Sequence, residues 1–247
     1  AVAAMNPSYS LYPVLAGAQG APYIPVDAEA SVDIPVDALV GAGAALVFLT
    51  SPNAPTGRGY RNTEIRELAD AFGGILAVDE AYGAFADESA TAILERYPRM
   101  VVTRSFSKSH ALAGLRLGYA LGHPELIAEL DKVRDSYNVD GLAQAGGVAA
   151  LRDAGYYAAT IGKIRAIRDF YRRGFEEMGW ATFPSSANFI CTQPTRGDTG
   201  SGLEVARSCF EFLKARKILV RFFPRHHLVS SYLRISVGTE DEMDMLM

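Results

Sequence analysis

Ser105-Phe106-Ser107-Lys108, followed by Leu112-Ala113-Gly114-Leu115-Arg116-Leu117-Gly118-Tyr119, stands directly after the apolar run Met100-Val101-Val102-Thr103. The stretch gathers a primary amine, two hydroxyls, a guanidinium and glycines behind one strand. A phosphorylated aldehyde is a ligand that would use all of them. The amine can form an imine, while the hydroxyls and the arginine hold phosphate oxygens. A lysine after a strand is more commonly a solvated surface residue, so its neighbours along the chain decide the reading.

Two segments do so. Ile75-Leu76-Ala77-Val78 reads as a strand buried on both faces, the pattern of a parallel sheet. It ends in Asp79, with Tyr82 shortly after. A carboxylate at the C-terminal end of such a strand stands where open α/β sheets bind ligands, although a helix cap or turn would also use it. The strand ending at Thr50 runs into Ser51-Pro52-Asn53-Ala54-Pro55-Thr56-Gly57, a breaker-rich turn. Three strand ends, near 50, 79 and 104, thus deliver polar groups.

Working outward, strand-like runs at 45–50, 75–79, 100–104 and 118–121 alternate with helical patterns at 62–73 and 124–135. The alternation predicts an α/β fold whose sheet is mainly parallel and flanked by crossover helices. Gly41-Ala42-Gly43 and Gly73-Gly74 read as helix C-caps. A long helix is predicted from Tyr156 to Met178, carrying Ile161, Ile164, Ile167, Tyr171 and Phe175 on one face. Beyond Gly179 come a strand at 188–192, a polar loop at 195–202, a helix at 203–216 and strands at 218–222 and 232–237. The expected organisation is a large domain over 1–153, then the interdomain helix and a smaller α+β domain over 154–247.

At 247 residues, with 49% hydrophobic and 21% charged, the composition is that of an ordinary globular protein. A net charge of -4 and the lack of any Lys/Arg block argue against nucleic-acid binding. Cys191 and Cys209 are too few for a disulfide framework, and no Cys/His spacing suggests a metal. His226-His227 reads as a surface loop. No apolar run approaches the roughly 18 residues of a membrane span. The opening Ala1-Val2-Ala3-Ala4-Met5 reads as a strand rather than a signal peptide, which makes the cytoplasm the expected location.

The ordered set of turn, Asp79-x-x-Tyr82, Ser105-x-Ser107-Lys108 and Arg116 resembles the fold-type I pyridoxal-phosphate enzymes, the aspartate aminotransferase superfamily. Asn6 to Pro13, Asp135 to Val139, Ala187 to Ile190 and Tyr232 to Thr239 look like its histidinol-phosphate aminotransferase branch. The resemblance runs from about residue 6 to about residue 240. It implies an aspartate-aminotransferase-like fold and pyridoxal 5'-phosphate as cofactor. The expected reaction passes an amino group from histidinol phosphate to 2-oxoglutarate in histidine biosynthesis, and the expected assembly is a homodimer. The family's N-terminal region, which supplies a phosphate-binding turn, precedes the part matched here, so the chain is expected to be either a piece of a longer polypeptide or a truncated gene product.

Lys108 would, by this resemblance, bind the cofactor covalently and move the substrate's α-proton, while Asp79 would pair with the pyridine nitrogen. Tyr82 would hydrogen-bond the ring's phenolic oxygen and Tyr9 would stack on the ring face. Ser105, Ser107 and Arg116 would hold the cofactor phosphate. Arg221 and Arg234 would grip the acidic group of either substrate, since a guanidinium fork fits both carboxylate and phosphate. The family commonly has Asn where this chain has Ala54, which cannot hydrogen-bond through its side chain. The adjacent Asn53 is a candidate to take over that cofactor contact, although neighbouring residues of a turn point differently; the alternative is that Tyr82 carries it alone. The same cofactor residues would also suit an aromatic or other amino-acid aminotransferase or a threonine-phosphate decarboxylase, and a catalytically silent fragment of the fold is the alternative outside enzymology.

Overall fold

The computed structural model describes residues 1–197 and 200–247. The first half of the chain alternates strand and helix: β1 (Val2–Asn6), α1 (Tyr12–Ala18), β2 (Tyr23–Asp27), α2 (Val36–Gly41), β3 (Leu46–Thr50), α3 (Asn62–Ala71) and β4 (Ile75–Asp79). Then come β5 (Met100–Ser105), a single turn of helix α4 (Phe106–Ser109), β6 (Gly118–Gly122), α5 (Pro124–Val133) and α6 (Gly141–Arg152). The long α7 (Ala154–Glu177) leads to β7 (Ala181–Thr182), β8 (Phe189–Gln193), α8 (Leu203–Ala215), β9 (Arg221–Phe222), β10 (Leu233–Ser236) and α9 (Glu240–Asp244).

The larger sheet has the order β2-β1-β3-β4-β5-β6, parallel throughout except for β6. Apolar runs without alternation make β3, β4 and β5 its buried centre. Val47, Leu49, Leu76, Val78, Met100 and Val102 pack with Leu39 of α2 and with Ile65 and Leu68 of α3. The chain leaves β1 for β2 on one side and returns to β3 on the other. The C-terminal ends of β1 and β3 therefore flank a topological switch point, where open α/β sheets bind ligands.

A second sheet, β7-β8-β10-β9, is antiparallel and drawn wholly from residues after α7. Ile190 and Ile235 face Tyr171 and Phe175 of α7 and Met243 of α9. Phe189 instead packs with Ala54, Ala187 and Tyr82, which joins the two halves beside the switch point.

Several local expectations are corrected. The edge strand β2 was not among the strands expected from sequence; its Pro25 weakens the strand pattern but is tolerated because β2 pairs only with β1. The strand expected at 218–222 is reduced to Arg221–Phe222. Lys217 takes a left-handed conformation (φ 65°), and the Ile218 N–H closes the end of α8 on Leu213 O. Gly73-Gly74 is not a left-handed cap. Gly74 is required by close approach, since a Cβ there would lie 2.5 Å from Ala45 O. In the polar loop at 195–202, Thr195 bridges Ser201, and residues 198 and 199 lie outside the described residues.

Candidate active site

A cavity of about 660 Å³ opens at the C-terminal edge of the large sheet, within the size range of small-molecule sites. Ser8 follows β1, Thr50 ends β3, Asp79 ends β4, and Ser105, Ser107 and Lys108 follow β5; all of them line it. Tyr9, Tyr82 and Arg116 complete the near wall, and Arg221 and Arg234 stand in the wall contributed by the small sheet. Of the residues singled out from sequence, all but Asn53 converge on this one space.

The β5–α4 junction is set by Ser105. Its extended backbone and its side-chain oxygen, which accepts the Ser107 N–H at 3.0 Å, start the turn of helix that carries Lys108. The Ser105 hydroxyl proton stays free to donate to a ligand. Lys108 Nζ lies 5.5 Å from the centre of the Tyr82 ring. Arg116 adopts a left-handed backbone (φ 52°), and its guanidinium donates to Ala113 O at 2.8 Å, with its remaining N–H groups uncommitted to that bond.

Asp79 is half-buried and firmly held. Oδ1 accepts the Ala81 N–H at 3.0 Å and Oδ2 accepts the Tyr12 hydroxyl at 2.8 Å. The next residue, Glu80, turns the other way and binds Arg104 and Ser89. One carboxylate at this strand end thus faces the cavity and its neighbour builds the scaffold.

Asn53 does not face the cavity. It is fully buried, its amide donates to Pro7 O at 3.0 Å, and its carbonyl accepts the Thr56 hydroxyl at 2.8 Å. The polar groups expected to reach a cofactor are spent on shaping the turn, while the Ala54 methyl lines the cavity. Gly57 closes that turn at φ 88°, where a Cβ would lie 2.6 Å from Ser185 Oγ; its carbonyl accepts the Ser186 N–H at 2.8 Å.

Across the cavity, register places Arg234 of β10 directly opposite Arg221 of β9. Like charges facing across a strand pair repel. No ion pair among the described residues involves either guanidinium, and Arg234 Nε is buried without a hydrogen-bond partner. Arg234 lies 4.9 Å over the Phe189 ring, which stands perpendicular to the Tyr82 ring with centroids 5.1 Å apart. Burial pulls Arg234 below the ordinary guanidinium range; Tyr82 opposes that shift and Arg221 adds to it. An uncompensated pair of this kind is a place for an anion.

His226, expected on a surface loop, is half-buried and reaches the cavity. Its Nδ1 accepts the Leu228 N–H, so Nε2 donates to Asn6 Oδ1 at 2.7 Å. Ser8, Thr50, Thr103 and Arg104 also line the site and were not singled out from sequence. Their position at strand ends was the available signal.

Among the described residues there is no cluster of three metal-binding side chains, and no helix is long and apolar enough to cross a membrane. An amine, a fixed carboxylate, hydroxyls and two arginines that form no ion pair among the described residues fit a phosphorylated aldehyde on a nitrogen heterocycle together with an anionic substrate.

The fold recurs in the histidinol-phosphate aminotransferase of Sinorhizobium meliloti, solved with pyridoxal-5'-phosphate. It superposes with a TM-score of 0.88 at 26% identity over 99% of this chain and 68% of that one. The chain is 44% identical over 247 residues to the histidinol-phosphate aminotransferase of Syntrophotalea carbinolica, covering 98% of this chain and 67% of the relative. It is 41% identical to that of Geotalea uraniireducens, covering 100% and 68%. It thus spans about two thirds of the length of these relatives. The sequence profile of the class I and II aminotransferases matches residues 1–247, and the chain belongs to that family.

Proposed function

We propose that the protein is a pyridoxal-phosphate-dependent transaminase that exchanges the amino group of histidinol phosphate with the oxo group of 2-oxoglutarate, as a step of histidine biosynthesis. The observation that carries the reading is the Arg221–Arg234 pair, two residues that register places opposite one another and that form no ion pair among the described residues. Such a pair suits substrates that present either a phosphate or a carboxylate. The relatives' names supply the particular amino donor.

The cofactor, when bound, supplies an electrophilic aldehyde and a ring that delocalises the electron pair left when the substrate's α-proton departs. Lys108 Nζ would hold that aldehyde and afterwards move the α-proton. Asp79 would accept a hydrogen bond from the ring nitrogen and keep it protonated. Tyr82 would donate to the ring oxygen, and Tyr9 would cover one ring face. Ser105, Ser107 and Arg116 would bind the phosphate. The lysine, carboxylate and phosphate groups come from residues 1–153 and the substrate arginines from 154–247, which supports a division into a cofactor part and a substrate part.

A homodimer in the cytoplasm is the proposed setting. The support for the dimer is three large apolar side chains between the end of α5 and the start of α6, Val133, Tyr137 and Leu142, each at least 80% exposed. Sedimentation at tens of micromolar checks the assembly. For the reaction, protein saturated with pyridoxal phosphate is given histidinol phosphate and 2-oxoglutarate. Formation of glutamate supports the reading; glutamate formed from aromatic amino acids but not from histidinol phosphate overturns the substrate, and release of carbon dioxide from threonine phosphate overturns the reaction type.

A further inference from the structure

The polar contacts behind Asp79 form a single line. Ser8 Oγ lies 3.0 Å from Thr50 Oγ1, Thr50 Oγ1 lies 2.7 Å from Tyr12 Oη, and Tyr12 Oη lies 2.8 Å from Asp79 Oδ2. The direction of each proton follows from the last acceptor. A carboxylate only accepts, so Tyr12 spends its one proton on Asp79. Thr50 then donates to the Tyr12 oxygen and, its own proton spent, accepts from Ser8. All three hydroxyl dipoles point toward the carboxylate.

The centre of the line is rigid. Tyr12 is 3% exposed, and its ring stacks on Phe48 with centroids 4.4 Å apart and planes 7° from parallel. Thr50 is buried at the end of β3. Burial first, and then the charge of Asp79, hold the Tyr12 phenol far above its ordinary range, so it remains a proton donor through neutral pH. Packing on Phe48 asks only for an aromatic ring. A hydroxyl buried at that position is costly unless it serves an acceptor, and its acceptor is a cavity-lining carboxylate.

We propose that Tyr12 is a positioning residue for Asp79, and that the Ser8–Thr50–Tyr12 hydroxyl line orients this carboxylate toward the cofactor's ring nitrogen. The proposal rests on the pyridoxal-phosphate reading given above. Asp79 ends its strand at the cavity edge, where a free carboxylate would rotate toward solvent. Fixing Oδ2 by a charge-assisted hydrogen bond removes that freedom before the ligand arrives, so less ordering remains to be supplied on binding. Each carboxylate oxygen carries two lone pairs, and the bonds from Tyr12 and Ala81 leave acceptor capacity for the ring.

Two measurements test it. In cofactor-free protein, urea midpoints are compared for Tyr12→Phe, Asp79→Asn and the double variant; the double variant loses less than the sum of the singles. Pyridoxal phosphate is then titrated by absorbance. Tyr12→Phe weakens binding about tenfold when Asp79 is present. It weakens binding by under about twofold in the Asp79→Asn background, or when a cofactor analogue carries carbon in place of the ring nitrogen. A tyrosine that only packs would weaken all of these equally. Additive midpoints, or equal weakening in both backgrounds, overturn the proposal. Unchanged affinity in Tyr12→Phe overturns the positioning role alone. Failure of the unaltered protein to bind pyridoxal phosphate overturns the cofactor reading and this proposal with it.

Discussion

Arg104 Nη2 lies 2.7 Å from Glu80 Oε2, and the pair ties the ends of β4 and β5 together at the floor of the cavity. The Glu80 side chain is 2% exposed and accepts three further hydrogen bonds, from Arg104 Nε, Ser89 Oγ and the Ala90 N–H. Burial works against the Arg104 charge, and the Glu80 carboxylate overcomes it, so the guanidinium sits above its ordinary range. Removing the acid alone leaves the guanidinium without its counter-charge, with Ser89 Oγ still accepting from Nη2, and strands the Ala90 amide. Glu80→Ala is expected to cost about 3 kcal/mol of stability, read from urea unfolding. A loss below about 1 kcal/mol would show that the pair is effectively solvated.

Asp79→Asn is expected to keep the fold and lose more than about tenfold in transamination rate, a barrier increase above roughly 1.4 kcal/mol. The structure explains why the fold survives. An amide Nδ2 in place of Oδ2 donates to Tyr12, which turns its proton to Thr50, and Thr50 turns its own to Ser8. A neutral amide cannot keep a ring nitrogen protonated. A variant retaining more than a tenth of the rate with an unchanged melting temperature contradicts the electron-sink role.

Arg221 and Arg234 are expected to matter unequally. Arg221→Ala should reduce kcat/KM for histidinol phosphate by several-fold to about a hundredfold, as the loss of a charged hydrogen bond implies. An aromatic amino acid, with one carboxylate for Arg234 to hold, should suffer less, and Arg234→Ala should damage both. Arg234→Met should leave the cofactor-free protein as stable as before or more so, because it removes a half-buried cation whose Nε has no hydrogen-bond partner among the described residues. Equal losses on the two substrates in the Arg221 variant would assign the pair to general carboxylate binding.

Alkaline pH should destabilise the protein with a calculable sign. Burial raises the Tyr12 and Tyr60 phenols well above the ordinary value, whereas in the unfolded chain they ionise near pH 10. Above that pH the folded state binds more protons than the unfolded state, so stability falls as pH rises, by up to about 1.4 kcal/mol per pH unit for each tyrosine. Urea midpoints between pH 9 and 11 should show the decline, and Tyr12→Phe and Tyr60→Phe should each flatten it. An unchanged slope in both variants would place the titrating groups elsewhere.

What could be read from sequence was local. The unbroken apolar runs of β3, β4 and β5 demanded a sheet buried on both faces, and the 3.6-residue spacing through Ile164, Ile167, Tyr171 and Phe175 demanded a helix covering an apolar face. Lys108, Ser105, Ser107 and Arg116 lie within one strand–turn segment, so their convergence needed no knowledge of distant chain. The contacts decided by tertiary structure all depend on register or on side-chain direction between remote segments. Asn53 and Ala54 are neighbours, and only the packing of the turn onto Pro7 turns the amide inward and leaves the methyl facing the cavity. Arg221 meets Arg234 because β9 pairs with β10 in one register, which a one-residue slip would destroy. Tyr12 reaches Asp79 because the β1-β3-β4 strand order brings the start of α1 over the end of β4. Periodicity along a chain records which face of an element is buried, whereas hydrogen bonds across a site are set by where separate elements dock, and that information exists only once the sheet has formed.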